Sequence, residues 1–289
     1  MRIANVDGRL VLLAHDGPVD VAVASKGRFG PDPQAAYESF DDLRRWAESQ
    51  GEPASAGAEA GMCDLHALGP VAPAPRQIFA IGVNYRDHAA EGGLTTLPEE
   101  PTVFTKYASS FSGPVTDVPL PNGSVDWEVE LVAVVSRTAR EVDASRAWGY
   151  VAGLTVGQDL SERQRQLRGP VPQFSLAKSH RGFSPTGPVL VTPDELANPD
   201  DLEIGCTVNG EQVQKARTAS MIFSVPQLVA YLSTIVTLYP GDVIFTGTPS
   251  GVGAGRTPQR YLGAGDELRS WAEGIGELRQ RFVSAGMDA

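Results

Sequence analysis

The chain of 289 residues is 42% hydrophobic and 20% charged, a composition that supports one large folded domain and a small one. Its formal net charge of -11 and isoelectric point near 4.9 argue against nucleic-acid partners, which bind a dense basic face, so an anionic substrate would need a local positive centre. The two cysteines, Cys63 and Cys206, stand far apart without other cysteines or histidines at metal-ligand spacing, so neither a disulfide framework nor a zinc site is indicated.

The N-terminal part is predicted to combine short strands with one helix. Residues 3–6 and 10–13 flank Asp7-Gly8, a dipeptide whose tolerance of positive φ suits a tight hairpin. Residues 39–50 carry apolar side chains at helical spacing behind a Ser/Asp cap signal, which predicts a short amphipathic helix.

The stretch after this helix is rich in Gly, Ala and Pro. Its latter half reads as an extended connector, so we place a domain boundary near residue 71. This gives a small N-terminal α/β domain over residues 1–71 and a larger domain over residues 72–289.

The larger domain is predicted to be mainly β. Asn209-Gly210 is a strong hairpin signal, and the apolar stripe of residues 226–238 predicts one helix that begins near a proline. Residues 266–283 have a charge pattern that permits a helix, but the glycines in their middle weaken that interpretation.

The sequence gives no sign of a membrane protein. No uninterrupted apolar run approaches the roughly 20 residues that a spanning helix requires, and the first residues lack the apolar core of a secretory signal. We therefore expect a cytoplasmic protein without membrane partners.

Three carboxylates are candidate metal ligands. Residues 125–135 alternate and are rich in β-branched residues, which predicts a strand with Asp126, Glu128 and Glu130 on one face. Partial burial would raise the pKa values of neighbouring carboxylates unless a cation compensates, although a solvated strand face is the simple alternative. Asp159 follows an apolar segment where a strand should give way to a loop, and it is the candidate third ligand. Such an oxygen-only set would select Mg²⁺, Mn²⁺ or Ca²⁺.

Five segments resemble motifs of the fumarylacetoacetate hydrolase family in their order and approximate spacing. They are GVNYRDHAAE (82–91), DWEVEL (126–131), GQDLSERQRQ (157–166), PQFSLAKS (172–179) and PGDVIFTGTPSGVG (240–253). The set is most similar to the bacterial branch that includes acylpyruvate and diketo-sugar-acid hydrolases. The resemblance implies an α+β, predominantly β fold, with a rolled mixed β-sheet in the catalytic domain, a homodimer, and a pair of strands at the C-terminus.

The resemblance also implies the metal ligands and the base. The family's metal ligands correspond to Glu128, Glu130 and Asp159, in agreement with the interpretation from the residues alone, and they imply Mg²⁺ or Mn²⁺, with Ca²⁺ as a further candidate. His88 and Glu91 match the family's lid motif, and their i, i+3 spacing on a short helix puts both side chains on one face. A surface histidine with an incidental Glu91 contact is the alternative.

Further site residues are carried over from the same motifs. Lys178 and Gln166 correspond to catalytic positions, Arg163 to a substrate-binding position, and Lys106 to a supporting one. In the same way, Thr248 and Gly247 correspond to a loop that presents a hydroxyl and backbone N–H groups to a substrate carboxylate; a purely structural turn is the alternative there. The segment 157–166 departs from the family pattern at Gln158, Glu162 and Gln164, which bears on substrate choice.

The activity that the resemblance implies is metal-dependent hydrolysis of the C–C bond of an acylpyruvate or 2,4-dioxo acid. The products would be pyruvate and a carboxylic acid, and the partner a small anionic oxo-acid. Two alternatives are a lyase or isomerase of the same family, acting on a 2-oxo diacid or on 2-hydroxyhepta-2,4-diene-1,7-dioate, and a catalytically silent metal-binding protein.

Overall fold

The structure, a computed structural model, describes residues 1–55 and 57–286 and is predominantly β with mixed sheets, as predicted. In this part of the chain the strands are β1 (Arg2–Val6), β2 (Arg9–Ala14), β3 (Gly17–Asp20), β4 (Leu68–Gly69), β5 (Ile78–Gly82), β6 (Thr102–Thr105), β7 (Phe111–Ser112), β8 (Val115–Leu120), β9 (Val125–Asp126), β10 (Val129–Val135), β11 (Val151–Gln158), β12 (Ser161–Glu162), β13 (Ser184–Val191), β14 (Glu203–Val208), β15 (Glu211–Arg217), β16 (Val243–Phe245), β17 (Glu267–Ala272) and β18 (Gly276–Ser284).

Helices are short and lie between the strands. The α-helices are α1 (Val21–Ala24), α2 (Phe40–Glu48), α3 (Glu59–Met62), α4 (Arg86–Glu91), α5 (Arg163–Gln166), α6 (Phe174–Ala177) and α7 (Val225–Ile235). The 3-10 helices are Ala35–Ser39, Leu65–Ala67, Ala108–Ser110, Ala144–Tyr150, Pro193–Glu195, Thr218–Ser220 and Gly253–Gly255. No helix within residues 1–55 and 57–286 has the length and apolar character that crossing a membrane demands.

The largest sheet of the described chain has eleven strands. Nine follow one another in the order β3-β2-β1-β13-β11-β10-β16-β5-β6, while β4 pairs with β1 and β7 with β13. Strands β10, β11 and β13 are buried at every residue, as expected for strands covered on both faces. In β10, Leu131 and Val135 enter one hydrophobic cluster and Val132 and Val134 another, so the alternation of the strand divides the core into two layers.

A second sheet of five strands has the order β15-β14-β17-β18-β8. Its β17–β18 hairpin settles the C-terminal segment as a pair of strands, with Gly274 and Gly276 in positive-φ conformations at the turn rather than in a helix. The hairpin predicted at Asn209-Gly210 joins β14 to β15, and both turn residues have positive φ.

The N-terminal strands join the large sheet. The predicted hairpin at Asp7-Gly8 connects β1 to β2, and helix α2 covers most of the range predicted for it, although Ser39 makes no side-chain cap. Strand β1 pairs with β13, in the register Arg2 with Val191 and Ile3 with Leu190. The boundary near residue 71 stays a prediction, but the first strands extend the central sheet instead of forming one of their own.

The predicted continuous strand over residues 125–135 is wrong in one respect: Trp127 and Glu128 separate β9 from β10. Strand β9 pairs with β12, whereas β10 pairs with β11. At the break, side chains replace ladder partners: the Glu128 N–H donates to Gln158 Oε1 at 2.9 Å and the Val129 N–H to Gln214 Oε1 at 3.0 Å. Two amide side chains therefore satisfy the backbone where the chain leaves one sheet for another.

Candidate metal centre and active site

The three predicted metal ligands converge. Glu128 precedes β10, Glu130 lies in β10, and Asp159 follows β11, whose antiparallel register places Glu130 opposite Gly157. The Asp159 N–H donates to the Glu128 carbonyl at 2.9 Å, which fixes the end of this pair of strands. One carboxylate oxygen from each residue lies within 4.8 Å of the others, and all three side chains are buried. The three carboxylates therefore converge as predicted, and their role as metal ligands stays a prediction.

A basic side chain lies between two of these carboxylates. Lys178 Nζ donates to Glu128 Oε2 at 2.6 Å and to Asp159 Oδ2 at 2.7 Å. Burial opposes the charged form of Lys178, but the charges of Asp159 and Glu128 outweigh burial and raise its pKa. The Lys178 ammonium therefore bridges two of the three candidate metal ligands.

Lys106 supports the same corner of the site. Its buried Nζ donates to Asp159 Oδ1 at 2.5 Å and also to the backbone carbonyl of Lys178. Burial lowers the pKa of Lys106, against the opposing effect of Asp159. Lys106 thus holds Asp159 and the chain at Lys178 together, the supporting position that the resemblance implied.

The two glutamates differ in their electrostatic surroundings. Burial opposes ionisation of Glu128, but Lys178 and Arg163 outweigh burial and lower its pKa to about 2. Burial, together with the charges of Asp159 and Glu128, raises the pKa of Glu130 well above its ordinary value. Glu130 Oε2 accepts a hydrogen bond from the Gly247 N–H at 2.8 Å and forms no ion pair with any described residue. Of the three carboxylates, Glu130 is therefore the one that a bound cation would stabilise most.

Arg163 holds the carboxylate oxygen of Glu128 that Lys178 leaves free. Its Nη2 donates to Glu128 Oε1 at 2.7 Å, its Nε to Asp126 Oδ2 at 2.8 Å and its Nη1 to Gln166 Oε1 at 2.9 Å. All three guanidinium nitrogens bond to protein groups, so Arg163 positions Glu128; its predicted contact with substrate stays a prediction. Because Gln166 Oε1 accepts from Arg163, the Gln166 amide NH₂ is left to donate elsewhere.

His88 and Glu91 form the predicted dyad on helix α4. His88 Nδ1 lies 2.9 Å from Glu91 Oε2, and Glu91 Oε1 accepts from the Gly251 N–H at 2.9 Å. Burial opposes ionisation of Glu91, but the hydrogen bonds from His88 and Gly251 outweigh it and lower its pKa. With Nδ1–H donating to Glu91, the His88 Nε2 lone pair can accept a proton. A protonated His88 also helps to lower the pKa of Glu128, so the dyad lies within electrostatic reach of the triad.

Gly247 contacts the triad, and Thr248 bonds to the backbone between its two glutamates. The Gly247 N–H donates to Glu130 Oε2. The φ of Gly247 is 96°, a conformation that favours glycine, and the absence of a side chain leaves room for Asn84. The Thr248 hydroxyl donates to the Val129 carbonyl at 2.9 Å and accepts from Gln214 at 2.9 Å. A contact between Thr248 and a substrate carboxylate, which stays a prediction, would require this hydroxyl to turn.

The donor set fits a hard divalent cation with one adjustment. Its ligands are all carboxylate oxygens, and the buried Glu130 forms no ion pair with the part of the chain that the structure describes. A cation shared by the three carboxylates requires Lys178 Nζ to move out of the gap between Glu128 and Asp159, which a flexible four-carbon side chain permits.

A divalent ion would also reverse the charge of the site. Counted as ionised, the clustered side chains are four acids and three bases: Asp126, Glu128, Glu130, Asp159, Lys106, Lys178 and Arg163. The net charge of minus one would become plus one. This is the local positive centre that an anionic substrate needs in an acidic protein.

Sequence reasoning missed three side chains that organise the site. Asp126 was placed on the right strand but given no role; its oxygens accept from Arg163 and from the backbone N–H groups of Gly253 and Ala254. Gln158 and Gln214 support the chain at the strand break, and no motif in their own segments pointed to that role. For Asp126, the signal was its place in the same alternating run as the two glutamates.

Two relatives share a large part of the sequence. A 2,4-didehydro-3-deoxy-L-rhamnonate hydrolase from Sphingomonas sp. is 47% identical over 208 residues, which cover 71% of this chain and 72% of the relative. A human mitochondrial oxaloacetate tautomerase, FAHD2A, is 44% identical over 211 residues, which cover 72% of this chain and 67% of the relative.

Solved structures agree along nearly the whole chain. A crystal structure from Mycobacterium smegmatis, provisionally named HpcE, has 57% identity and a TM-score of 0.90, and the match covers 99% of this chain and all of that one. Maleylpyruvate hydrolase from Sphingobium sp., solved with manganese(II) and pyruvate, has 29% identity and a TM-score of 0.77, with 98% and 99% of the two chains covered. The family model described as fumarylacetoacetate (FAA) hydrolase C-terminal matches residues 77–283. The chain is an enzyme of the fumarylacetoacetate hydrolase family.

Proposed function

We propose that this enzyme is a divalent-metal-dependent hydrolase that cleaves an acylpyruvate, or another 2,4-dioxo acid, to pyruvate and a carboxylic acid. The observation that carries the proposal is the buried triad of Glu128, Glu130 and Asp159 with the His88–Glu91 dyad within electrostatic reach. Support also comes from the Sphingobium relative, which was solved with manganese(II) and pyruvate.

The metal would be Mg²⁺ or Mn²⁺, held by the three carboxylates. When bound, it supplies Lewis-acid stabilisation of the negative charge that an oxo-acid develops as its C–C bond breaks. Lys178 and Lys106 offset the negative charge of Glu128 and Asp159. They therefore add to the attraction of the site for the substrate carboxylate.

The side chains of the chain itself account for the proton transfers. Glu91 holds His88 through Nδ1, so that His88 Nε2 takes a proton from water as the water oxygen bonds to C4 of the substrate. Lys178, displaced from the carboxylates, and the Gln166 amide donate to the oxyanion at C4. The C3–C4 bond then breaks, its electron pair goes to the pyruvate enolate, and a proton returned to C3 completes pyruvate.

Isomerisation or tautomerisation is the second candidate. It is favoured by the relationship to the human oxaloacetate tautomerase, and the same enolate chemistry serves a proton shift without hydrolysis. The two candidates differ in their products. Hydrolysis releases two acids, whereas tautomerisation only speeds the interconversion of the keto and enol forms of one compound.

The test is a product assay on metal-depleted protein. Protein treated with a chelator is assayed with acetylpyruvate and with oxaloacetate, before and after addition of Mg²⁺ or Mn²⁺. Cleavage products are identified by mass spectrometry, and the interconversion of keto and enol oxaloacetate is followed by ultraviolet absorbance. We expect pyruvate and acetate to appear only with metal, and Asp159→Asn to be inactive. His88→Gln should lose turnover, while His66→Gln, at an exposed histidine, should match the wild type. Full activity of metal-free protein would contradict the proposal, and oxaloacetate tautomerisation without cleavage would support the second candidate.

We further propose that the enzyme is a cytoplasmic homodimer. Strand β6 pairs only with β5 within the described residues, and helix α6 contacts it. Exposed apolar side chains lie in β6 or just after it, at Val103 and Tyr107, and in the segment from the end of α5 to α6, at Leu167, Val171 and Leu176. Such a cluster beside an open sheet edge is typical of an association surface. Light scattering should give a molar mass of twice the chain mass of 30.7 kDa. In Val171→Glu the measured mass should fall toward that of a single chain. A monomeric wild type would overturn the dimer.

A further inference from the structure

Gly255, a glycine outside every motif discussed above, packs against the side chain of Glu91. A Cβ atom placed on Gly255 would lie 2.6 Å from Glu91 Cδ, 2.6 Å from Oε1 and 2.7 Å from Cγ. Real Cβ atoms essentially never approach that closely, so Glu91 occupies the space that a side chain at residue 255 would need. The φ of Gly255 is outside the positive range, so its backbone conformation does not require glycine.

Gly255 ends a glycine-rich segment (residues 251–255) that contacts both halves of the site. At one end, the Gly251 N–H donates to Glu91 Oε1 at 2.9 Å. In the middle, the N–H groups of Gly253 and Ala254 donate to Asp126 at 2.7 and 3.0 Å. Asp126 in turn holds Arg163, which holds the triad carboxylate of Glu128. The glycine-rich segment therefore connects the His88–Glu91 dyad to the carboxylate triad through backbone hydrogen bonds.

We propose that Gly255 is a positioning residue of the reaction: its missing side chain lets Glu91 lie flat against the glycine-rich segment and hold His88 at a fixed place relative to the triad. This inference rests on the proposed function for its effect on turnover. Its structural part, the placement of Glu91, stands independently of any substrate.

An alanine at position 255 separates positioning from folding. The atoms that its Cβ would meet belong to the end of a flexible side chain, which can move at little cost to stability. The other glycines of the segment are unsuitable, because a Cβ at Gly251 would meet the Val213 carbonyl oxygen at 2.1 Å and one at Gly253 the Arg260 carbonyl oxygen at 1.8 Å. Gly149→Ala is the matched control, since nothing lies within 4 Å of its added Cβ and its φ is outside the positive range.

Two measurements on Gly255→Ala are decisive. We expect kcat to fall by about 10- to 100-fold with KM changed by less than about 3-fold, because a general base moved by an ångström loses most of its advantage. We also expect the neutral His88 imidazole to shift from the Nδ1–H tautomer, held by Glu91, toward the Nε2–H tautomer. The nitrogen chemical shifts of labelled protein report this ratio, with the His88 signals assigned from His88→Gln. Mn²⁺ affinity and the properties of Gly149→Ala should match those of the wild type.

A double-mutant comparison tests the contact itself. Glu91→Asp shortens the side chain by one methylene and leaves room for an alanine methyl, so Gly255→Ala should cost less than about 3-fold in kcat when it is added to the Glu91→Asp variant. This comparison also replaces the single variant should Gly255→Ala fail to fold. Unchanged His88 tautomers and unchanged kcat in Gly255→Ala would overturn the proposal, as would equal losses in the two backgrounds.

Failure of the proposed function gives a different pattern. A wild-type protein with no turnover of any acylpyruvate contradicts the hydrolase assignment, yet the tautomer measurement needs no substrate and still decides whether Gly255 positions the dyad.

Discussion

Replacing each of the two glutamates of the triad by glutamine should change the stability of the metal-free protein in opposite directions. Both substitutions keep the shape of the side chain and remove one charge. Glu128 is held by Lys178 and Arg163, whereas Glu130 faces other carboxylates without an ion pair in the described structure. We expect Glu128→Gln to destabilise the protein and Glu130→Gln to stabilise it.

The magnitudes follow from the pKa shifts. The pKa of Glu128 is lowered from 4.5 to about 2, so its stabilising effect is complete above pH 4.5 and is lost as the pH falls toward 2; at pH 7 it is on the order of 3 kcal/mol. The pKa of Glu130 is raised above 4.5, so the protein loses roughly 1.4 kcal/mol per pH unit as the pH rises from 4.5 toward the folded-state pKa. The largest penalty at pH 7 is again on the order of 3 kcal/mol.

The assay is thermal and chemical unfolding of chelator-treated protein at pH 5 and pH 7. At pH 7 each variant should shift the melting temperature by several degrees, downward for Glu128→Gln and upward for Glu130→Gln. At pH 5 the gain for Glu130→Gln should shrink below about 1 kcal/mol. Added Mn²⁺ should stabilise only the wild type, because both variants lack a ligand. Shifts of the same sign, or a Glu130→Gln gain that does not depend on pH, would refute the electrostatic argument.

Three further predictions concern the dyad, the bridging lysine and the core. His88→Gln should keep wild-type Mn²⁺ affinity in a calorimetric titration while kcat falls by about 10²- to 10⁴-fold; loss of metal binding would contradict a base role. Lys178→Met should bind Mn²⁺ at least as tightly as the wild type, since no ammonium competes for the carboxylates, yet turn over at least about 10-fold more slowly; weaker binding would show that Lys178 assists the metal. Gly157→Ala should lower the free energy of unfolding by about 1–3 kcal/mol in urea titrations, because its Cβ would lie 2.6 Å from Val132 and 2.8 Å from Phe245; an unchanged value would contradict tight packing there.

Much of the candidate site could be predicted from the sequence because its signals are local. The alternating pattern of residues 125–135 indicated that Glu128 and Glu130 share a face, although only Glu130 lies within β10, and the end of an apolar strand located Asp159. Hairpins such as that at Asn209-Gly210 were predictable because positive φ at adjacent residues suits few dipeptides. The i, i+3 spacing of His88 and Glu91 likewise fixed their contact once α4 formed.

Features that depend on distant parts of the chain were not predictable. The strand break at Trp127 requires the side chains of Gln158 and Gln214, and neither segment indicates its partner. Lys178 was located by its motif, but its bridging position depends on how the segment after α5 packs against the triad. Gly255 lacks any local signal, since its packing against Glu91 joins positions more than 160 residues apart.

The pairing of β1 with β13 has a consequence for how this protein can vary. Removing residues 1–71 would uncover one edge of β13, a strand buried at every residue, and leave its backbone groups facing water beside apolar side chains. A chimera that exchanges this region between relatives must therefore preserve the pattern of the exchanged first strand, whose buried residues include Ile3 and Ala4. Exchanges that ignore it should give aggregated chains, even when every catalytic side chain is retained.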